Sequence, residues 1–159
     1  MKNLPLRYTI SRIGEPTLQE FAASQMTLDT PQAVREFWDS AIAGRPDHEP
    51  EKEILVAICL NTKLRPIGWH LIATGTVNEC VAHPREIFRP AIIAAAYALV
   101  IAHNHPSGDP SPSQADRRLT STLREASQLL QISLIDHIIV GLPQADRPGH
   151  YSFRDSGLL

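Results

Sequence analysis

The chain has 159 residues, 43% of them hydrophobic, and 17 acidic against 15 basic side chains give a net charge of −2. That length buries one ordinary core and hardly two, and the charge balance predicts no general affinity for nucleic-acid phosphates. Its two cysteines, Cys59 and Cys80, indicate neither a disulfide framework nor a zinc–cysteine site; with no apolar run of signal or bilayer-spanning length, a cytoplasmic protein without a membrane partner is expected.

Residues 1–50 read as an appendage, with a short strand at Tyr8-Thr9-Ile10. Thr30 and Pro31 then supply an N-cap and a first helical residue. The helix they start carries an apolar stripe of Val34, Phe37, Trp38 and Ile42, ends at Ala43-Gly44, and must dock that stripe on the main domain, residues 51–159. Asp47-His48-Glu49-Pro50 forms a short polar joint. Glu53 to Leu60 and Ile67 to Gly75 pattern as a strand pair, with Cys59 as a small core residue. A helix is expected within Pro84 to Ala96, with Pro90 as the candidate first residue and a separate turn before it.

Leu99-Val100-Ile101-Ala102 is a buried strand with His103 and His105 at its carboxyl end. Alternation points both imidazoles to one face and Asn104 to the other. Pro106 to Pro110 is dense in turn formers. Ser111 as N-cap, Pro112 at the first helical position and Gln114 three residues after the cap predict a capping box. The helix is apolar at Ala115, Leu119, Leu123, Ala126 and Leu130, and Ser113 and Asp116 share a face near its start. Ile132 to Gly141 and Tyr151-Ser152-Phe153 are the last strands.

A pair of histidines two apart is more often structural than metal-binding, but Ser113 and Asp116 at this distance reverse that reading. Two neutral imidazoles and one carboxylate suit tetrahedral zinc with an open fourth position, where the ion lowers the proton affinity of water until hydroxide forms near neutral pH. Ser113 can donate to an oxyanion. Glu53, the last carboxylate before the apolar strand, is the best candidate for the base, with Glu51 as the alternative on the same strand face. The adjacent letters of His103-Asn104-His105 are not evidence for an HNH nuclease, which gathers its residues from separated positions. His48, His70, His83, His137 and His150 have no ligand-like spacing and read as structural or solvent-facing, His137 in a strand-end turn after Asp136. Arg117, Arg118 and Arg124 read as a solvated helix face.

The spacing of His103, His105, Ser113 and Asp116, with Glu53 upstream, resembles the JAMM motif of the JAB/MPN metalloprotease superfamily. His83-Pro84-Arg85-Glu86, the run from His103 to Pro110, and Asp136-His137-Ile138-Ile139-Val140-Gly141 look like the RadC family within it, over about Glu51 to Leu159. The resemblance implies an α/β fold, a curved mixed sheet flanked by helices as in the cytidine-deaminase-like JAB fold. It implies His103, His105 and Asp116 as zinc ligands, Glu53 as general base, Ser113 as oxyanion donor, and hydrolysis of a peptide or isopeptide bond in a protein or peptide substrate. Two further readings attach to it: a DNA-processing role of the RadC type and a non-catalytic JAB interaction module. Longer members carry an N-terminal helix-hairpin-helix-like domain that these residues do not include, and the acidic balance also argues against DNA. All five motif positions are intact, which argues against the interaction module.

Overall fold

Strand β3 (Ala98–Asn104) is buried at every residue, as its unbroken small and β-branched run requires of a strand covered on both faces. In the computed structural model, which describes residues 26–75, 82–143, 145 and 148–159, β3 is the middle of a five-stranded sheet of order β2-β1-β3-β4-β5. The other strands are β1 (Ile54–Leu60), β2 (Pro66–Thr74), β4 (Ser133–Val140) and β5 (His150–Ser152). β1 runs antiparallel to β2 and β3, β4 is parallel to β3, and β5 returns antiparallel to β4, so the sheet is mixed. The strand expected at Tyr8-Thr9-Ile10 and Cys80 lie outside the described residues.

Period-two alternation sorts the strands' side chains to two cores. On one face Val56, Ile58 and Leu60 of β1, Val100 and Ala102 of β3, and Ile138 and Val140 of β4 meet Val34, Phe37, Trp38 and Ile42. Those four come from α1 (Pro31–Phe37) and the wider π-helical turn that continues it over Trp38–Ala43. The Thr30 side chain accepts from the Ala33 amide and Pro31 follows it, the start that the sequence predicts. On the other face Leu55, Ala57, Cys59, Leu99 and Ile101 meet Ile87, Phe88 and Ala91 of α2 (Pro84–Ile93) and Leu123 of α3 (Gln114–Leu130). Helices thus cover both sides of a mixed sheet, the architecture expected, and each fully buried aliphatic side chain contributes about 1.5–3 kcal/mol. Cys59 belongs to this second core, where burial pushes its thiol up to about 11 and leaves it unreactive.

Two expectations are corrected. Helix α2 starts at Pro84, not Pro90: His83 takes extended backbone, Pro84 occupies the first turn, and Ile87 and Phe88 anchor that turn in the core. Pro90 is carried inside the helix, which ends at Ile93, and Ala95 turns out with φ 49°. The N-cap of α3 is Ser113, not Ser111. Ser113 closes a capping box with Asp116 in place of the predicted Ser111–Gln114 pair, because a carboxylate three residues after the serine answers its N–H more strongly than Gln114 could answer Ser111.

Candidate metal centre

The register places the site. β1 and β3 pair Leu55 with His103, while β3 and β4 pair His103 with Ile139, so the carboxyl end of β3 sits between two strands that hold it. Past the strand, the His105 amide still donates to the Val140 carbonyl, and the Gly108 amide donates back to the His105 carbonyl. Gly108 has φ +81°, a left-handed conformation that favours glycine. Gly141 lets the loop close, since a Cβ there would overlap the Gly108 carbonyl and Pro110.

This loop delivers the amino end of α3 to the two histidines. His103 Nε2 lies 3.1 Å from His105 Nε2 and 3.2 Å from Asp116 Oδ1, and His105 Nε2 lies 3.6 Å from Asp116 Oδ2. Among the described residues these three form the one group of histidine, cysteine and acidic side chains whose donor atoms converge in this way. The capping box orients the carboxylate: Asp116 Oδ2 accepts from the Ser113 amide at 2.7 Å, which turns Oδ1 toward His103. Ser113 Oγ accepts from the Asp116 amide, a contact that uses a lone pair and not the hydroxyl proton. Ser113 is exposed, whereas His103 and Asp116 are buried and His105 is half-buried.

Proton accounting shows that the donor set fits a metal. His105 Nδ1 lies 2.8 Å from the Asp109 carbonyl, which can only accept. A neutral His105 therefore carries its proton on Nδ1 and turns a bare Nε2 toward Asp116. A lone pair facing a carboxylate in a buried site is repulsive unless a cation sits between them, either a proton or a metal ion. The shifts show the same demand. Burial alone would lower His105, yet the Asp116 and Asp109 contacts outweigh it and raise its pKa. Burial would raise Asp116, yet the hydrogen bonds of His103 and His105 hold it well below the usual carboxylate range.

A pH dependence follows. Because the Asp116 and Asp109 contacts raise the metal-free His105 pKa above its ordinary value, a metal entering below that pKa must displace a proton. Zinc affinity should rise with pH through the His105 pKa and level off above it, with protons released on binding at the lower pH. Zinc titrations between pH 5.5 and 8.5, in buffers of different ionisation enthalpy, check this; an affinity that is flat across that range contradicts it.

Glu53 immediately precedes β1 and is half-buried. Burial raises its pKa, the charges of His103 and His105 pull it down, and Asp116 pushes it up again, so Glu53 feels all three groups of the site. Glu51 is exposed in the preceding turn and not on β1, which removes the shared strand face on which it rivalled Glu53. Asn104, pointing away from the histidines, fixes the peptides on either side of Glu53: its Oδ1 accepts from the Ile54 amide at 2.9 Å and its Nδ2 donates to the Lys52 carbonyl at 3.0 Å. Asn104→Ala should destabilise the chain by about 1–3 kcal/mol, because it strands those groups in a largely buried place. Chemical denaturation measures this, and an unchanged midpoint contradicts it.

His137 is structural, one of the two roles the sequence allows it, but the strand-end turn expected for it is corrected. It is fully buried in mid-strand, not in a turn; its Nε2 lies 2.9 Å from His103 Nδ1 and its Nδ1 2.6 Å from Thr120 Oγ1. Phe153 stacks on it at 4.7 Å, and burial, with the charge of His103, holds its pKa well below the ordinary histidine value. The available signal was parallel pairing: once β4 lies beside β3, His137 sits opposite Ile101, on the face that carries His103. Asp136, also buried, accepts from Ser152 Oγ and from the Arg154 and His137 amides, and it fastens the C-terminal segment.

The RadC-like JAB domain family model matches residues 28–158. The chain is 45% identical over 128 residues to a UPF0758 protein of Pelodictyon phaeoclathratiforme, covering 80% of this chain and 54% of that protein. It is 47% identical over 109 residues to a UPF0758 protein of Thermotoga maritima, covering 69% and 47% respectively. A UPF0758 protein of Symbiobacterium thermophilum is 40% identical over 135 residues, covering 85% and 53%. The chain spans about half the length of these relatives.

Proposed function

The chain belongs to the RadC-like JAB domain family, and from that premise we propose that it is a zinc-dependent hydrolase acting on a peptide or isopeptide bond. The observation that carries this reading is the convergence of one ligand atom each from His103, His105 and Asp116, two nitrogens and an oxygen within 4.8 Å of one another, beside a half-buried Glu53. These three residues would hold the ion. Zinc bound there supplies a Lewis acid and lowers the pKa of water toward neutrality.

The protein's own groups do the rest. The Glu53 carboxylate takes one proton from the attacking water, the oxygen adds to the carbonyl carbon, and the Ser113 hydroxyl donates to the oxyanion that develops. When the C–N bond breaks, Glu53 returns its proton to the leaving amine. One water is consumed, and an acid and an amine are formed. The raised Glu53 pKa suits a group that must both take and give a proton near neutral pH. Its sign is definite: activity should fall as pH drops through the Glu53 pKa, because the protonated carboxyl accepts nothing.

The test is a search for peptide- or isopeptide-bond cleavage in protein conjugates, with new amines or amino termini as the readout. Cleavage that a chelator stops and zinc restores is the expected result; its absence across such substrates counts against the reading. The same preparation should bind single- and double-stranded DNA weakly at moderate salt, given the net charge of −2. Tight, salt-sensitive binding with metal-dependent strand cleavage would favour a nucleic-acid hydrolase instead.

A further inference from the structure

We infer that Thr120 and His137 are positioning residues for the metal: together they set the tautomer in which His103 meets it. The inference rests on His103 being a zinc ligand through Nε2. A neutral imidazole that gives Nε2 to zinc must carry its proton on Nδ1. In His103 that atom faces His137 Nε2 at 2.9 Å, inside the layer between the sheet and α3. His137 must then accept at Nε2 and hold its own proton on Nδ1, which faces Thr120 Oγ1 at 2.6 Å. Thr120 can accept there because its hydroxyl donates to the Asp116 carbonyl, also at 2.6 Å.

The chain of donors therefore runs one way, from His103 through His137 and Thr120 to the backbone of Asp116, and it joins two of the three proposed ligands. Run in reverse, the Thr120 hydroxyl donates to His137 Nδ1, His137 Nε2 donates to His103 Nδ1, and the His103 proton moves to Nε2, where zinc should bind. His137 is 0% exposed, and both its ring nitrogens face protein groups. A metal-bound histidine usually gives its second proton directly to a carbonyl or carboxylate, as His105 does to Asp109. His103 reaches its carbonyl only through two intervening side chains, each of which has to be oriented correctly.

The test is titration of Zn²⁺ alone into chelator-treated protein against a competing colorimetric chelator. Thr120→Val keeps the shape but removes the acceptor that holds the His137 proton on Nδ1, so nothing any longer fixes the tautomer that leaves His137 Nε2 bare for His103; zinc affinity should fall about 10–100-fold. Thr120→Ser keeps the hydroxyl and should keep the affinity. His137→Gln sets an amide near the Nε2 position and should bind zinc more tightly than His137→Asn, whose amide reaches only the Nδ1 position; this pair decides the matter if Thr120→Val fails to fold. Unfolding of the metal-free proteins separates the effect from fold stability, since a purely structural role would move stability and leave affinity in folded protein unchanged. Equal zinc affinities within each pair, in a protein whose wild type binds zinc, overturn this inference alone. A wild type that takes up no zinc overturns the ligand assignment and this inference with it.

Discussion

His103→Ala should abolish stoichiometric zinc binding. The substitution leaves His105 and Asp116, and two protein ligands rarely hold zinc against buffer competition. It also removes the group that joins the site to His137, whose Nε2 then faces a cavity in a buried layer, so part of the loss appears as instability of the metal-free chain. Asp116→Asn is the cleaner companion. Its amide oxygen can still accept from the Ser113 amide and keep the cap of α3, while the charge that draws a cation is gone. Zinc content measured after purification without added metal should be near zero for His103→Ala and sharply reduced for Asp116→Asn; full occupancy in either shows that the ligands are misassigned.

Glu53→Gln should leave zinc bound and the fold intact while activity on any cleaved substrate drops by at least about 10²- to 10⁴-fold, the usual worth of acid–base catalysis. The drop belongs at the upper end, because one carboxylate serves both the attack and the departure of the amine. Retention of zinc is expected because the proposed ligands lie at and just past the end of β3 and on α3, while Glu53 lies just ahead of β1 between peptides held by the Asn104 amide. Glu51→Gln should be nearly silent, since Glu51 is exposed in a turn. The assignment fails if Glu53→Gln keeps its activity and Glu51→Gln loses it with zinc bound in both.

The parts of this site that sequence could reveal are those set by local periodicity. His103 and His105 share a face because they are two apart on a strand, and Asp116 returns to them because a turn-rich loop and a helix start lie between. The position of the α3 cap was missed by two residues because two serines, Ser111 and Ser113, compete for it; the choice depends on which has an acid three residues on. Glu53 and Glu51 could not be separated until the start of β1 at Ile54 put Glu53 next to the strand and left Glu51 exposed in the turn before it. Thr120 and His137 were the least legible. Their link to His103 crosses from α3 to β4 to β3, and such a contact exists only once the sheet order is known.

X-ray absorption at the zinc edge, on protein loaded with one equivalent, tests the central claim most directly. Two nitrogen ligands near about 2.0–2.1 Å and oxygen near about 2.0–2.2 Å, with no sulfur near about 2.3 Å, are expected for His103, His105 and Asp116 with an open position for water. That signal should disappear in His103→Ala. A sulfur ligand, or an unchanged spectrum in His103→Ala, would contradict the account.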